Sequence, residues 1–251
     1  MDQCNLNCKR CAHFSPLVPK DTPPINLNEI INDLIRLNAI GCTPKVFKIL
    51  GGEPLLHPNL EDFLEAFRGV LVGVDILIWT NGLLLPRMPK SFFDKCKKYN
   101  IRIVITPYKV SRENKAVQEV VAQNSEIVKY DDYFCDYFWE IPLTIQAMPY
   151  YKERNWRECR INKGRCTTLR NHKLYPCCFP AYIKFLNARG FNFQESNDGI
   201  NIYEIEDERD IENRLYSPID FCQYCNGRIF DEHPWEHWSE NNDDGWISTP
   251  R

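Results

Sequence analysis

The chain has 251 residues, 43% hydrophobic and 26% charged, with a formal net charge of -3. That length buries a sizeable core, as one large α/β domain or one with a small appendage, while the charge offers no basic field for nucleic acid. The most apolar run, residues 69–79, is interrupted by Asp75 and too short for a bilayer, and the N-terminus carries cysteines where a secretory signal would be apolar. A cytoplasmic protein with neither nucleic-acid nor membrane partners is expected.

The N-terminal stretch MDQCNLNCKRC places Cys4, Cys8 and Cys11 in the pattern CxxxCxxC. In a reducing compartment clustered thiols read as metal ligands before disulfides. Three thiols with His13 as the nearby fourth donor suit a closed zinc site poorly. A cubane [4Fe-4S] cluster held by three thiolates leaves one iron open to a substrate or cofactor.

From residue 26 to about 130 helical and extended patterns alternate. INLNEIINDLIRLNAI reads as a helix with Asn28 near its start, and KVFKIL as a strand. LEDFLEAFRGV (helix), VDILIW (strand), PKSFFDKCKKY (helix, Pro89 in its first turn), IRIVI (strand), ENKAVQEVVAQ (helix) and EIVKY (strand) follow. Repeated βα units predict a parallel sheet, open or closed into a barrel, whose functional loops follow the C-terminal strand ends. There stand GGEP (Gly51–Pro54), TNG (Thr80–Gly82) and TPYK (Thr106–Lys109).

Near residue 131 the βα rhythm fades into YDDYFCDYFWEIPL. Further on, CTTLR and KLYPC flank a two-residue turn at Asn171–His172, a hairpin that sets Cys166 opposite Cys177. AYIKFLNARGF reads as a helix, and the acidic residues 195–210 and SPIDFCQYC follow. The last residues, rich in Trp and Asp, read as a partly ordered polar tail; there His233 and His237 at i, i+4 spacing suit a surface turn better than a metal. Cys42, Cys96 and Cys135, scattered singly, read as small buried hydrophobes.

CNLNCKRC followed about forty residues later by GGEP, in a βα-repeat chain, resembles the radical S-adenosylmethionine (radical SAM) enzymes. The resemblance covers residues 4–225 and implies a partial (β/α)6 barrel with a small C-terminal SPASM/Twitch-like extension: 1–150 the barrel, 151–230 the extension, 231–251 the tail. By it, Cys4, Cys8 and Cys11 ligate a [4Fe-4S] cluster whose fourth iron is chelated by SAM. Gly51 and Gly52 let backbone approach the methionine moiety, Glu53 fixes its ammonium, and Asn81 and Thr106 contact ribose or methionine. Reductive cleavage of SAM then gives a 5'-deoxyadenosyl radical that abstracts hydrogen from substrate, with the electron supplied by a donor such as flavodoxin or ferredoxin.

Cys159, twelve residues, His172, four residues and Cys177 resemble the SPASM/Twitch hairpin, with Cys222 and Cys225 as the later CxxC. The resemblance implies one auxiliary [4Fe-4S] cluster on Cys177, Cys222, Cys225 and either Cys159 or Cys166. A zinc ribbon on the same positions is the alternative. Cys178, next to Cys177 on a strand, is expected to face the other way.

Two features depart from the family pattern. Arg10 precedes Cys11 where an aromatic is usual, and a guanidinium plane can take over stacking on adenine. Only Met1–Gln3 precede Cys4, so either the barrel is expected to lack its first strand or the chain to be a shortened version of a longer protein, with imperfect pairing at that edge and weakened cluster retention.

HFSP, FWEIPL and PIDFCQYC look most like radical SAM proteins associated with polysaccharide and glycosyltransferase loci, which implies an oxidoreductase acting on a sugar, cyclitol or other small metabolite. A peptide-modifying maturase is the enzymatic alternative; a zinc-binding or electron-transfer protein is the non-catalytic one. Asp131, Asp132, Glu140 and His13 are the acid–base candidates, each more simply a solvated or hydrogen-bonded polar residue.

Overall fold

The computed structural model describes residues 1–132, 137–140, 143–159, 161, 166–195, 198–225, 231–239 and 246–247. It divides into two compact units: Met1–Asn5, Pro19–Ile35 and Thr43–Tyr137 form the first, and Leu6–Val18, Arg36–Cys42 and Phe138–Arg251 the second.

The first unit holds the predicted βα succession. After α1 (Leu27–Ala39), whose residues from Arg36 on belong to the second unit, come β1 (Val46–Ile49), α2 (Leu60–Val70), β2 (Asp75–Thr80), α3 (Lys90–Lys98), β3 (Ile101–Ile105), the one-turn α4 (Lys109–Arg112), α5 (Lys115–Gln123) and β4 (Val128–Tyr130). The four strands form one parallel sheet in sequential order, with Ile49 opposite Ile78, Ile78 opposite Ile103 and Ile103 opposite Val128. Ile76, Ile78, Ile101, Ile103 and Ile105 are fully buried with Leu64 of α2 and Phe92 of α3. Each such side chain contributes about 1.5–3 kcal/mol, so the strand faces themselves hold the sheet.

Two start signals lie elsewhere than the sequence pattern put them. The cap of α1 is Asn26, whose Oδ1 accepts from Asn28 N–H at 3.1 Å while its Nδ2 donates to Glu29. Pro89 flanks α3 as its N-cap with an extended backbone. The end of α2 is closed by Arg68, whose guanidinium donates to the carbonyls of Leu71, Val74, Tyr99 and Asn100, satisfying acceptors that helix ends and turns leave open.

The second unit contains β5 (Tyr137–Glu140), α6 (Lys152–Glu158), β6 (Thr168–Arg170), β7 (Lys173–Tyr175), α7 (Cys178–Asn187), β8 (Ile200–Asn201), α8 (Glu208–Leu215) and β9 (Asp231–Pro234). β5 pairs with β9, and β6, β7 and β8 form an antiparallel sheet. The expected hairpin is present: Arg170 pairs with Lys173 and Thr168 with Tyr175. Its turn residues Asn171 and His172 have φ of 48° and 62°, the double positive φ that matches the strand twist. Short β8, within the acidic stretch, was not foreseen.

This unit's core is aromatic. Phe14, Phe179, Phe193, Phe221, Tyr224, Trp238 and Trp246 share one buried cluster, with Phe179 and Phe221 stacked at 6.4 Å. Buried Arg170 lies over the Tyr182 ring at 4.5 Å, a contact that keeps its charge solvated by π density.

Among the described residues, no helix is long and apolar enough to cross a membrane.

Candidate functional site

In the first unit the GGEP loop follows β1 and closes on the N-terminal residues. Gly52 N–H donates to Met1 O at 2.7 Å and Glu53 N–H to Gln3 O at 2.8 Å. A Cβ on Gly51 would come within 2.3 Å of Met1 O, and one on Gly52 within 2.1 Å of Gln3 O. The bare faces of both glycines are thus filled by main chain, the close approach for which glycine is suited. Gln3 Nε2 in turn donates to Lys20 O at 2.6 Å and Thr22 O at 3.2 Å.

Glu53 is fully buried, and its carboxylate is held on both oxygens. Oε1 accepts from Thr80 Oγ1 at 2.6 Å and Leu55 N–H at 3.1 Å, and Oε2 from Asn81 N–H at 2.9 Å. Burial pushes its pKa above the usual value, against the pull of those donors. The carboxyl thereby pins the TNG turn to the GGEP loop.

Asn81 carries the connection on to the cysteine loop. Its Nδ2 donates to Asn5 Oδ1 at 2.8 Å and lies 3.8 Å from Cys4 Sγ, while its Oδ1 accepts from Leu83 N–H at 3.0 Å. Ser111 Oγ donates to its carbonyl. Thr106 is bound to the neighbouring strand end: its N–H donates to Thr80 O and its Oγ1 accepts from Trp79 Nε1 at 3.0 Å. Glu53, Asn81 and Cys4, far apart in sequence, are therefore joined by one chain of hydrogen bonds, and Thr106 is tied to the same strand ends.

Cys8 and Cys11 belong to the second unit. Cys8 is buried and its Sγ accepts from Trp235 Nε1 at 3.1 Å, while Cys11 O accepts from Trp246 Nε1 at 2.9 Å. Arg10 adopts φ of 66° and its guanidinium meets Glu236 at 3.3 Å. His13 packs edge-on against Tyr182 at 4.8 Å.

The later cysteines also belong to the second unit. Cys222 and Cys225 stand at the two ends of a turn whose carbonyls are clamped by Asn155: its Nδ2 donates to Cys222 O at 3.0 Å and Cys225 O at 2.5 Å. Asn155 is buried, on α6, and Cys159 caps that helix one turn further on. Asp198 caps the start of the same turn, accepting from Asp220 N–H and Phe221 N–H at 2.9 and 2.8 Å. Neither Asn155 nor Asp198 was foreseen from sequence; the i, i+4 spacing of Asn155 to Cys159 was the available signal.

Burial raises the thiols of Cys177, Cys178, Cys222 and Cys225, and neighbouring groups add to the effect. Cys222 is pushed up to about 11 by burial and by Cys159. Cys225 is held well above the usual thiol value by burial, then by Cys222, Cys159 and Cys178. Cys177 is raised likewise by burial, then by Cys178, Cys225 and Cys222. Cys178 opens α7 instead of continuing β7, so strand alternation does not govern it. It is pushed up to about 12 by burial, then by Cys166 and Cys11, with Cys159 adding less. Cys166 is exposed, two residues before β6, as Cys177 is two residues after β7. Among the described residues no three His, Cys, Asp or Glu side chains are gathered as a metal-binding group. The donor set is nonetheless that of thiolate ligation, with N–H donors near Cys4 Sγ and on Cys8 Sγ.

Of the remaining candidates, Asp131 is half-buried and Asp132 exposed. The side chains of Glu140 and His233, and all of Cys135, lie outside the described residues. Cys96 is fully buried and pushed up to about 12 by burial, then by Glu61, as a small hydrophobe in the core should be.

No protein-family model matches the chain. The GTP 3',8-cyclase of Alkaliphilus oremlandii is 32% identical over 103 residues, 41% of this chain and 32% of that protein. The GTP 3',8-cyclases of two Helicobacter pylori strains are 32% identical over 89 residues and 28% identical over 123, covering 27% and 38% of those proteins. The matched stretch therefore spans about a third of the length of these curated relatives. Among solved structures, BtrN in complex with AdoMet and 2-DOIA shares the fold, with a TM-score of 0.51, 17% identity, and coverage of 90% of this chain and 89% of that one. The chain is thus similar to GTP 3',8-cyclases by sequence over part of its length and to BtrN by fold.

Proposed function

We propose that the chain is a radical SAM enzyme that cleaves SAM reductively and uses the product radical to oxidise or otherwise modify a sugar, cyclitol or related small metabolite. The observation that carries the reading is the CxxxCxxC loop whose first thiol lies beside Asn81, itself held by the buried Glu53 of GGEP. In this reading Cys4, Cys8 and Cys11 hold a [4Fe-4S] cluster and SAM completes it, supplying the one-electron chemistry that side chains lack. The chain's part is to place the loop: Glu53 fixes the turn bearing Asn81, and Asn81 fixes Asn5 beside Cys4. SAM contacts of Gly51, Gly52, Glu53, Asn81 and Thr106 belong to the same proposal, as does an electron donor of the flavodoxin or ferredoxin kind.

An auxiliary [4Fe-4S] cluster on Cys159, Cys177, Cys222 and Cys225 is the second element. Cys159 is favoured over Cys166 as fourth ligand because it caps the helix whose Asn155 binds the CxxC carbonyls. BtrN, solved with both AdoMet and a second small molecule, supports a small-metabolite substrate over a peptide.

The test is anaerobic reconstitution of the full chain with iron and sulfide, then incubation with SAM and a chemical reductant. Formation of 5'-deoxyadenosine, lost in Cys4→Ala with Cys8→Ala, is expected. Iron is expected to fall from about eight to about four per chain in that variant, one cubane at each site. No 5'-deoxyadenosine from the wild type would rule the catalytic reading out, and one zinc without sulfide would rule out the auxiliary cluster.

A further inference from the structure

Residues Trp235–Trp238, read from the sequence as part of a polar tail, run along the loop that carries Cys8 and Cys11. Lys9 N–H donates to Glu236 O at 2.9 Å, Trp238 N–H to Asn7 O at 2.8 Å, and Asn7 Nδ2 to Trp238 O at 2.8 Å. Cys8 and His237 consequently face each other across an antiparallel bridge. Side chains reinforce the pairing. The Glu236 carboxylate meets Lys9 Nζ at 3.4 Å and Arg10 at 3.3 Å, and the Trp235 indole donates to Cys8 Sγ at 3.1 Å. Trp246 adds a hydrogen bond to Cys11 O from the aromatic core.

We propose that Trp235–Trp238 is a strap over the cysteine loop, and that the Trp235 indole N–H acts as a positioning group that hydrogen-bonds the Cys8 sulfur and sets the reduction potential of the cluster bound there. The second half rests on the reading of Cys4, Cys8 and Cys11 as cluster ligands. A donor on a ligand sulfur stabilises the more negative, reduced cluster, and an apolar cover keeps water from it. The donor eases reduction, and the cover slows loss of the cluster. The strap also accounts for Arg10: where the family carries an aromatic, this chain carries a cation committed to Glu236.

Two variants separate the strap from the cluster. Glu236→Lys sets a third cation against Lys9 and Arg10. In metal-free, reduced full-length chain, N-ethylmaleimide labelling of Cys8, read by peptide mass spectrometry against Cys4 as reference, is expected to rise about fivefold as the strap opens. Unchanged labelling overturns the strap. Trp235→Phe keeps the ring and removes the donor. After reconstitution it is expected to retain wild-type iron and sulfide but to show about a tenfold lower reduced-to-oxidised ratio at fixed potential, a fall of about 59 mV for a one-electron couple. A wild-type potential in Trp235→Phe overturns the role of the indole. If labelling responds to Glu236→Lys but the wild type takes up no iron at the opening loop, the strap stands and its link to a cluster falls with that reading.

Discussion

The two units of this chain bury themselves by different means. In the first, isoleucines on successive strands meet leucine and phenylalanine from helices close in sequence, and polar groups such as Arg68 close the helix ends. In the second, aromatic rings from residues as far apart as Phe14 and Trp246 make the core, and single polar side chains such as Asn155 and Asp198 hold the turn bearing Cys222 and Cys225. Many modest, interchangeable contacts stabilise a sheet, so no one of them is decisive. A unit assembled from distant loops depends on a few side chains that cannot be exchanged.

That contrast is most directly broken in the aromatic core. Phe221→Ala empties a fully buried ring stacked on Phe179, and is expected to cost about 3–5 kcal/mol. Hydrogen exchange should show protection lost in α7 and the CxxC turn while β2 and β3 of the first unit keep theirs. Equal loss in both units would mean that they do not unfold separately. Asn155→Ala comes next: it removes the side-chain donor shared by the carbonyls of Cys222 and Cys225, for about 1–3 kcal/mol. Iron analysis of reconstituted protein should show the variant losing the iron assigned to the later cysteines before that of the opening loop.

Glu53→Gln probes the polar clamp of the first unit. An amide cannot accept from Leu55, Thr80 and Asn81 on both sides, and a loss of about 1–3 kcal/mol in urea unfolding is expected. The wild type should also carry a pH signature. Burial raises the folded pKa of Glu53 above its usual 4.5, so the folded chain keeps a proton that the unfolded chain has released. Stability is therefore greatest below the usual value and falls as pH rises from there through the raised one; Glu53→Gln should lack this slope. The smallest effect belongs to Asp94→Ala, which removes the exposed pair with Lys90 on α3 and should shift stability by less than about 0.5 kcal/mol.

Much of the first unit was legible without a structure. The strand spanning Ile101–Ile105 and the helix spanning Leu60–Val70 have the bounds that periodicity assigned them, because side-chain alternation is a property of neighbouring residues. The Asn171–His172 hairpin was legible for the same reason, its turn being encoded in two residues. Less was legible where partners are remote. Asn28 stood near the expected helix start, but Asn26 is the residue whose side chain reaches the freed amide. Cys178 looked like the next residue of a strand, but the strand ends and a helix begins there.

By itself the sequence determined the order of βα units, the hairpin turn, and the three-thiol loop followed by GGEP. Each is written in residues a few positions apart, where backbone geometry decides what faces what. Only the tertiary structure decided that Met1–Gln3 fill the bare faces of Gly51 and Gly52, that Asn155 clamps a turn 67 residues away, and that Trp235 donates to a sulfur 227 residues before it. Such contacts arise when separate elements pack together, and a polar group buried in that packing takes whatever partner the fold brings within reach.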